Sequence, residues 1–371
     1  MSAAEMLRAL VALPTPSAVS NVPLIDAVVA RLEPLGWHCA RQIYTDENGI
    51  AKANLIARPN ETDAEIGLAF VCHTDTVPYA AEWTNALMLT PSADGAALHG
   101  CGACDVKGAL ACFLAAVDAL GAKVRGDAAL LLTADEEIGC KGMERLLAAT
   151  ALKIRAAIVS EPTSLRPGVA GKGYGLARVT VRGAEAHSAF PAKGVSAIAH
   201  AAKLIARLEE RAAAGTANVL FEPAHTTVNV GTIAGGTAKN IVAGECTFLV
   251  EWRPIPEENP RAMLKTLEAL AAELEREEPR VRIEVEAQRA DAGFAPASAG
   301  ALQQRLSELL GPERKPIGIS FGSEASRLAR VAEEVIVIGP GDMQTAHSAR
   351  ECVPVAELDE WTAALAELLR E

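Results

Sequence analysis

Four short apolar segments that run into histidine or acidic residues constrain the fold of this chain more than any other feature. They lie at residues 66–72, 128–133, 156–159 and 334–338, and segments with helical spacing separate them. Short, nearly continuous apolar strands are typical of a largely parallel sheet that helices cover on both faces. The sequence therefore predicts an α/β fold, with helices at 24–33, 108–120, 301–310 and 356–369 and a further strand at 53–57.

The middle of the chain follows a different pattern. Apolar and polar residues alternate at 175–183, 226–233, 245–252 and 281–285, and helical periodicity appears at 195–211 and 261–274. Alternating strands with two helices indicate an antiparallel sheet that is covered on one face. We predict a catalytic α/β domain, residues 1–173 and 289–371, with an inserted α+β domain at 174–288.

The length, the net charge and the distribution of apolar residues limit which functions and locations the chain can have. The chain has 371 residues, more than most single domains, and its net charge of −12 argues against a nucleic-acid partner. The longest uncharged apolar run, 108–117, is too short to cross a membrane, and the first residues lack a secretory signal. Eight scattered cysteines then indicate reduced thiols and a cytoplasmic location.

Polar residues cluster where the predicted strands end. Ligands of open α/β sheets bind beyond the carboxyl ends of the strands, so these side chains are expected to meet. Taken singly, each is ordinarily a surface residue, and Asp105 before the helix at 108–120 could be only an N-cap. Together, two histidines and three carboxylates offer the nitrogen and oxygen ligands that suit zinc, cobalt or manganese. The candidate metal ligands are His73, Asp105, Glu137, Glu161 and His347.

The segment Cys101-Gly-Ala-Cys104 allows three interpretations. A Cys-x-x-Cys pair can be a redox couple, half of a zinc site, or small residues that pack a tight turn. Because the sequence has no second pair at zinc-finger spacing, we favour packing. Both thiols would still make the neighbourhood sensitive to oxidation.

Eight motifs lie along nearly the whole chain: His73-Thr-Asp-Thr-Val-Pro78, Asp105-Val-Lys-Gly108, Asp135-Glu-Glu-Ile-Gly139, Glu161-Pro-Thr163, His187-Ser188, Phe321-Gly-Ser-Glu-Ala325, Gly339-Pro-Gly-Asp342 and Ala346-His347. They resemble those of the zinc-dependent family of deacylases and exopeptidases that includes aminoacylase, carboxypeptidase G and succinyl-diaminopimelate desuccinylase. Within it, the acetylornithine deacetylase branch is the most similar. One departure is Gly100-Cys-Gly102, where the family commonly has Gly-Arg-Gly.

The resemblance implies a phosphorylase/hydrolase-like catalytic domain and a ferredoxin-like insert that serves as lid and dimerisation domain. It also implies two divalent metal ions, with zinc first and cobalt as the alternative. Asp105 would bridge them, His73 and Glu161 would complete one site, and Glu137 and His347 the other. Glu136 would be the general base, a cis peptide bond would follow Asp105, and Asp75 would hydrogen-bond the His73 imidazole, a contact that fixes the tautomer of a ligand.

The resemblance further implies removal of the acetyl group from N2-acetyl-L-ornithine in arginine biosynthesis, by a homodimer joined through the insert. His187 would stabilise the oxyanion in the partner's site, and Asn240, Arg253, Gly322 and Ser323 would bind substrate. Acetylcitrulline, succinyl-diaminopimelate or a dipeptide are alternative substrates. A metal-binding protein without catalysis, or a thiol redox protein, are alternatives of a different class. Neither nucleic acid nor a membrane is expected as a partner.

Overall fold

The chain forms two compact units in the computed structural model, which describes residues 1–60, 65–298 and 300–370. The first unit comprises Met1–Val169, Pro296–Ile317 and Ser323–Glu371, and the second comprises Ala170–Ala295 and Gly318–Gly322. The predicted insert, 174–288, lies within the second unit. Its assignment as a lid and dimerisation domain stays a prediction.

The helices and strands are numbered in chain order, and most of them lie within one unit. The helices are α1 (Ala3–Val11), α2 (Val22–Leu32), α3 (Gly108–Leu120), α4 (Lys141–Ala149), α5 (Ala197–Ala213), α6 (Ala262–Glu277), α7 (Ala301–Leu310), α8 (Ala325–Leu328) and α9 (Val355–Arg370). The strands are β1 (His38–Thr45), β2 (Ala51–Arg58), β3 (Ile66–His73), β4 (Thr90–Pro91), β5 (Ala97–His99), β6 (Ala128–Thr133), β7 (Ile154–Val159), β8 (Gly168–Gly171), β9 (Tyr174–Arg182), β10 (Thr227–Gly235), β11 (Glu245–Arg253), β12 (Arg282–Asp291), β13 (Ile317–Ile319), β14 (Ala332–Val337) and β15 (Cys352–Pro354).

A mixed sheet forms the centre of the first unit. In the described chain its strand order is β1-β2-β6-β3-β7-β14-β8-β13. The four strands β6, β3, β7 and β14 run parallel, as predicted, and every residue of β3 and β6 is buried. The prediction of a largely parallel sheet is wrong at its margins, because β1, β2 and β8 run antiparallel to their neighbours. The polar, mostly exposed sequence of β1 carries little strand signal.

Helix α3 lies in the core of this unit, and its first residue positions the loop that precedes it. Its apolar residues surround the helix, a pattern typical of a fully buried helix, and it contacts α1 and α9. Phe113 stacks on Phe70 of β3 at a ring-centroid distance of 4.7 Å. At Gly108 a Cβ would lie 2.4 Å from the Ala103 carbonyl oxygen. Glycine therefore allows the turn Ala103–Lys107, which contains Asp105, to fold closely onto the start of the helix.

The second unit is an α+β layer, as predicted. Its four-stranded antiparallel sheet has the order β10-β11-β9-β12 in the described chain. Burial alternates along β9 and β11, so one face carries the apolar side chains. Val179, Phe248 and Trp252 from the sheet form one core with Leu204 of α5 and Leu267 of α6. Among the described helices of both units, none has the length and apolar character needed to span a bilayer.

Candidate metal centre

The five candidate ligands come together in the first unit, four of them at or after the carboxyl ends of parallel strands and Asp105 in the turn before α3. β3 ends at His73, β6 is followed by the turn with Glu137, and β7 is followed by Glu161. His73, Asp105 and Glu161 place ligand atoms within 4.8 Å of one another, and so do Asp105, Glu137 and His347. The first group is buried, whereas the second includes the exposed His347. The geometry fits the predicted ligand set, whose role remains a prediction.

Asp105 belongs to both groups and divides its carboxylate between them. Its Oδ1 lies 3.1 Å from Nε2 of His73, and its Oδ2 lies 3.1 Å from Nε2 of His347. The same His347 nitrogen is 3.2 Å from Oε1 of Glu137. The peptide bond between Asp105 and Val106 is cis, which confirms that expectation. One carboxylate with an oxygen facing each group is the arrangement that a bridging ligand requires.

Asp75 contacts His73 differently from the prediction. Nδ1 of His73 lies 3.0 Å from the backbone carbonyl oxygen of Asp75, whereas the carboxylate is 3.8 Å away. The carboxylate instead accepts hydrogen bonds from the Ser17 hydroxyl at 2.7 Å and from the amides of Glu136 and Glu137 at 3.0 and 3.2 Å. The imidazole is thus oriented by the main chain, which leaves Nε2 for a metal. The Asp75 side chain fixes the neighbouring turn.

The same turn is anchored by a buried ion pair that the sequence did not predict. Nζ of Lys52 lies 2.8 Å from Oδ1 of Asp135, and both side chains are almost fully buried. The Tyr44 hydroxyl donates to the other Asp135 oxygen at 3.1 Å. Asp135 has a φ of 59°, an uncommon backbone conformation for a residue other than glycine. Its side-chain contacts hold the backbone from which Glu136 and Glu137 project.

Electrostatics at this centre favour added positive charge. Burial raises the pKa of Glu136 to about 8, and the charges of Glu324 and Glu137 act in the same direction, against His73. Burial and the Asp105 charge raise the pKa of Glu161 well above its ordinary range. Hydrogen bonds to Asp105 and Glu137 raise the pKa of His347 to about 10. A set of imidazole nitrogens and buried carboxylates is suited to zinc or cobalt, whose charge would relieve this repulsion.

The surroundings of Cys101 and Cys104 favour the packing interpretation. Both are free and buried. Burial, with the Glu351 charge as the next cause, raises the pKa of Cys101 to about 11 and that of Cys104 well above its ordinary value. Thiol redox chemistry depends on the thiolate, which such surroundings disfavour.

The predicted oxyanion and substrate residues lie mainly in the second unit. His187 is exposed, its Nδ1 accepts from the Ala189 amide at 3.1 Å, and the adjacent Ser188 amide donates to the Asn240 carbonyl at 3.0 Å. His187 and Asn240 therefore lie on paired segments. Their functional roles stay predictions.

Arg253, also in the second unit, sits with its guanidinium carbon 4.5 Å from the centre of the Tyr174 ring and its Nε 3.6 Å from Glu251. A Cβ built at Gly322 would lie 3.7 Å from its Nη1, so these two residues are neighbours. Ser323 belongs to the first unit, where it is buried and its hydroxyl accepts from the Ala325 amide at 3.3 Å. Their substrate-binding roles also stay predictions.

Solved structures similar to this chain agree with the observed fold. A tripeptidase from Staphylococcus aureus superposes with a TM-score of 0.82 at 22% identity, over 99% of this chain and 97% of that one. A dinuclear metal-binding peptidase from Bacillus subtilis gives a TM-score of 0.68 at 16% identity, over 99% and 96%. At these identities the likeness bears on the fold alone.

Sequence comparisons identify the family. Residues 69–371 match the model of peptidase family M20/M25/M40. An acetylornithine deacetylase from Myxococcus xanthus is 44% identical, over 97% of this chain and 94% of the relative. Another, from Pectobacterium atrosepticum, is 30% identical over 95% and 93%. This chain therefore belongs to peptidase family M20/M25/M40, whose members are hydrolases that act on amide bonds.

Proposed function

We propose that this protein hydrolyses N2-acetyl-L-ornithine to L-ornithine and acetate, as a cytoplasmic step of arginine biosynthesis. The observation that carries the proposal is the divided carboxylate of Asp105, whose two oxygens each lie 3.1 Å from a histidine of a different ligand group. The acetyl-ornithine substrate is supported by relatives at 44% and 30% identity that carry this activity in their names. A reducing compartment agrees with eight free cysteines.

Two divalent cations, zinc or alternatively cobalt, would be held by the two ligand groups. His73 and Glu161 would bind one, Glu137 and His347 the other, and Asp105 both. When bound, such a pair lowers the pKa of a nearby water and polarises the acyl carbonyl.

Glu136 is the proposed general base and acid. Its carboxylate takes a proton from the water whose oxygen adds to the acyl carbon, and the proton then goes to the α-nitrogen as the C–N bond breaks. The Glu136 amide donates to Asp75, and the Cys140 thiol donates to its Oε1 at 3.2 Å. These contacts orient the carboxylate. The positive charge of bound cations would lower the pKa of the Glu136 carboxylate, so that it is ionised at neutral pH and can accept a proton.

The second unit is proposed to bind substrate and to join two copies of the chain. Arg253 would grip the α-carboxylate, because its planar fork offers two parallel hydrogen bonds. His187 would stabilise the oxyanion in the partner's site. Mixed dimers of His187→Ala and Glu136→Gln subunits should then regain activity that neither variant shows alone. No recovery after verified subunit exchange would contradict a role in the partner's site.

The deciding experiment combines metal analysis with turnover of a substrate panel. We expect two bound cations per chain, the highest kcat/KM on N2-acetyl-L-ornithine, loss of turnover after chelation, and recovery with zinc or cobalt. Faster turnover of acetylcitrulline, succinyl-diaminopimelate or a dipeptide would show that the substrate is wrong. A metal-loaded protein inert on all four would favour a binding role. Activity that survives chelation but is lost in Cys101→Ser would favour thiol chemistry.

A further inference from the structure

Glu351 is a buried acid that no sequence motif singled out. Glu351 is 2% exposed. Its carboxylate accepts three hydrogen bonds from main-chain amides. Oε2 accepts from Gly102 at 3.0 Å, and Oε1 accepts from Cys104 at 3.1 Å and from Asp105 at 3.2 Å. Both oxygens are thus engaged by the single turn that carries Asp105.

Strand pairing places the side chain in this position. β15 pairs antiparallel with β5, with Cys352 opposite His99, and the Gly100 amide donates to the Glu351 carbonyl at 3.4 Å. Gly102 has a φ of 77°, which turns the following amides toward one side of the loop. Main-chain amides that converge in this way form a cradle for an anion. Here the chain's own carboxylate occupies that cradle.

The contact joins two parts of the candidate centre that are far apart in sequence, the Asp105 turn and the segment that follows His347. Glu351 follows His347 by four residues. Its carboxylate accepts a hydrogen bond from the amide of Asp105, the residue that both ligand groups share. Glu351 belongs to neither ligand group. Its hydrogen bonds fix the backbone from which the Asp105 side chain projects.

We propose that Glu351 is a positioning residue, which holds the Asp105 turn at the distance from His347 where one aspartate serves two cations. The inference rests on the proposed metal centre. Replacing Glu351 with Gln keeps the size but turns one acceptor oxygen into an NH2 donor. Either the Gly102 amide or the pair at Cys104 and Asp105 must then lose its partner.

The chain offers a matched control in Glu334. This residue is also buried, at 7% exposure, and its carboxylate accepts the amides of Leu302 and Gln303 at 2.8 Å each, at the start of α7. Glu334 lies in the first half of β14, away from the carboxyl ends that carry the ligands. Glu334→Gln removes the same kind of bond from the same unit without touching the candidate centre.

The test measures zinc binding to the metal-free full-length wild type, Glu351→Gln and Glu334→Gln by calorimetry, with the cobalt absorption spectrum as a second readout. We expect Glu351→Gln to bind at least one cation about 10- to 100-fold more weakly, with an altered cobalt spectrum. Glu334→Gln should stay within about twofold of the wild type, because distant sites act independently. Both variants should melt at lower temperature than the wild type.

Equal zinc affinity and equal cobalt spectra in the two variants would overturn the positioning role while leaving the metal centre intact. If Glu351→Gln does not fold without metal, Glu351→Asp serves, since its shorter side chain cannot reach all three amides; unchanged affinity there overturns the role as well. A wild type that binds no divalent cation would instead refute the proposed function, and the positioning role with it.

Discussion

Acidic residues are handled in opposite ways in two regions of this molecule. On the sheet of the second unit, the exposed Arg182 lies 3.3 Å from Glu245 and 3.0 Å from Glu284, and both acids are also exposed. At the strand ends of the first unit, Asp105 and Glu161 are buried, and the ion-pair partners of Asp105 are two histidines. The second unit pairs these acids with arginine on an exposed surface, whereas the first unit clusters its acids in a buried site.

This difference indicates where an external cation is needed. An exposed carboxylate is stabilised by water, so its ion pairs contribute little to folding. A buried carboxylate loses that hydration and is costly unless positive charge replaces it. The gathered acids of the first unit therefore point to bound metal, whereas the paired acids of the second do not. Four measurements test this contrast.

The largest effect should come from adding zinc to the metal-free protein. Each filled site stabilises the folded state by about 4 kcal/mol when free zinc exceeds the dissociation constant 1,000-fold. Thermal unfolding should shift upward accordingly. Hydrogen exchange should slow at the segments around His73, Asp105, Glu137 and His347. Equal slowing in β9 and β11 would contradict a metal centre confined to the first unit.

The second effect concerns one carboxylate in each region. Glu136→Gln should lower kcat by about 10²- to 10⁴-fold with both cations still bound, because the base is lost and the ligands remain. Glu284→Gln, the same chemical change on the exposed sheet, should leave kcat and metal content unchanged. Steady-state kinetics with metal analysis of both proteins checks this. Retention of most activity by a metal-loaded Glu136→Gln would refute the base assignment.

The third effect is a pH dependence that burial creates at Glu324. Burial raises the pKa of this carboxyl from 4.5 to about 7. Between these values the folded state holds a proton that the unfolded chain releases, so stability falls as pH rises through this window. Glu324→Gln mimics the protonated form. Its free energy of unfolding relative to wild type should rise between pH 4.5 and 7 by at most about 3 kcal/mol.

Urea unfolding of the metal-free proteins at pH 5 and pH 7 measures this change. Glu286→Gln provides the comparison, because that side chain is 65% exposed on the second unit's sheet. Its difference from the wild type should not change between the two pH values. A Glu324→Gln difference that is equally constant would show that this carboxyl is not stabilised in its protonated form.

The elements that present the candidate ligands were predictable from local pattern. β6 and α3 have the predicted bounds, and β3 ends within one residue of its prediction, because uninterrupted apolar runs leave few alternatives. β1 and α4 were not predicted, since exposed alternation and short polar helices resemble loops. The margins of the sheet depend on pairings between distant segments. Local periodicity does not encode these.

The candidate ligands were recognisable by position, but most of the groups that orient them were not. Ser17 reaches Asp75 across 58 residues, and Glu351 reaches Asp105 across 246. Lys52 stands beside a predicted strand with nothing in its neighbourhood to suggest that it would be buried against Asp135. Such contacts depend on side-chain packing after the sheet has formed. Motif spacing therefore indicates what binds, and the tertiary structure shows what holds the binding groups.

The smallest effect should follow removal of Arg182, the arginine between two acids of the second unit. Arg182→Gln leaves Glu245 and Glu284 facing water, which stabilises them almost as well, so we expect little change in melting temperature and none in zinc affinity. Val179→Ala, on the same strand but fully buried, should cost about 2 kcal/mol through lost methyl burial and a cavity. If Arg182→Gln destabilised the protein as much as Val179→Ala, the exposed ion pairs would stabilise the fold by more than hydration of the free carboxylates can offset. Burial would then not be what separates the acids of the two regions.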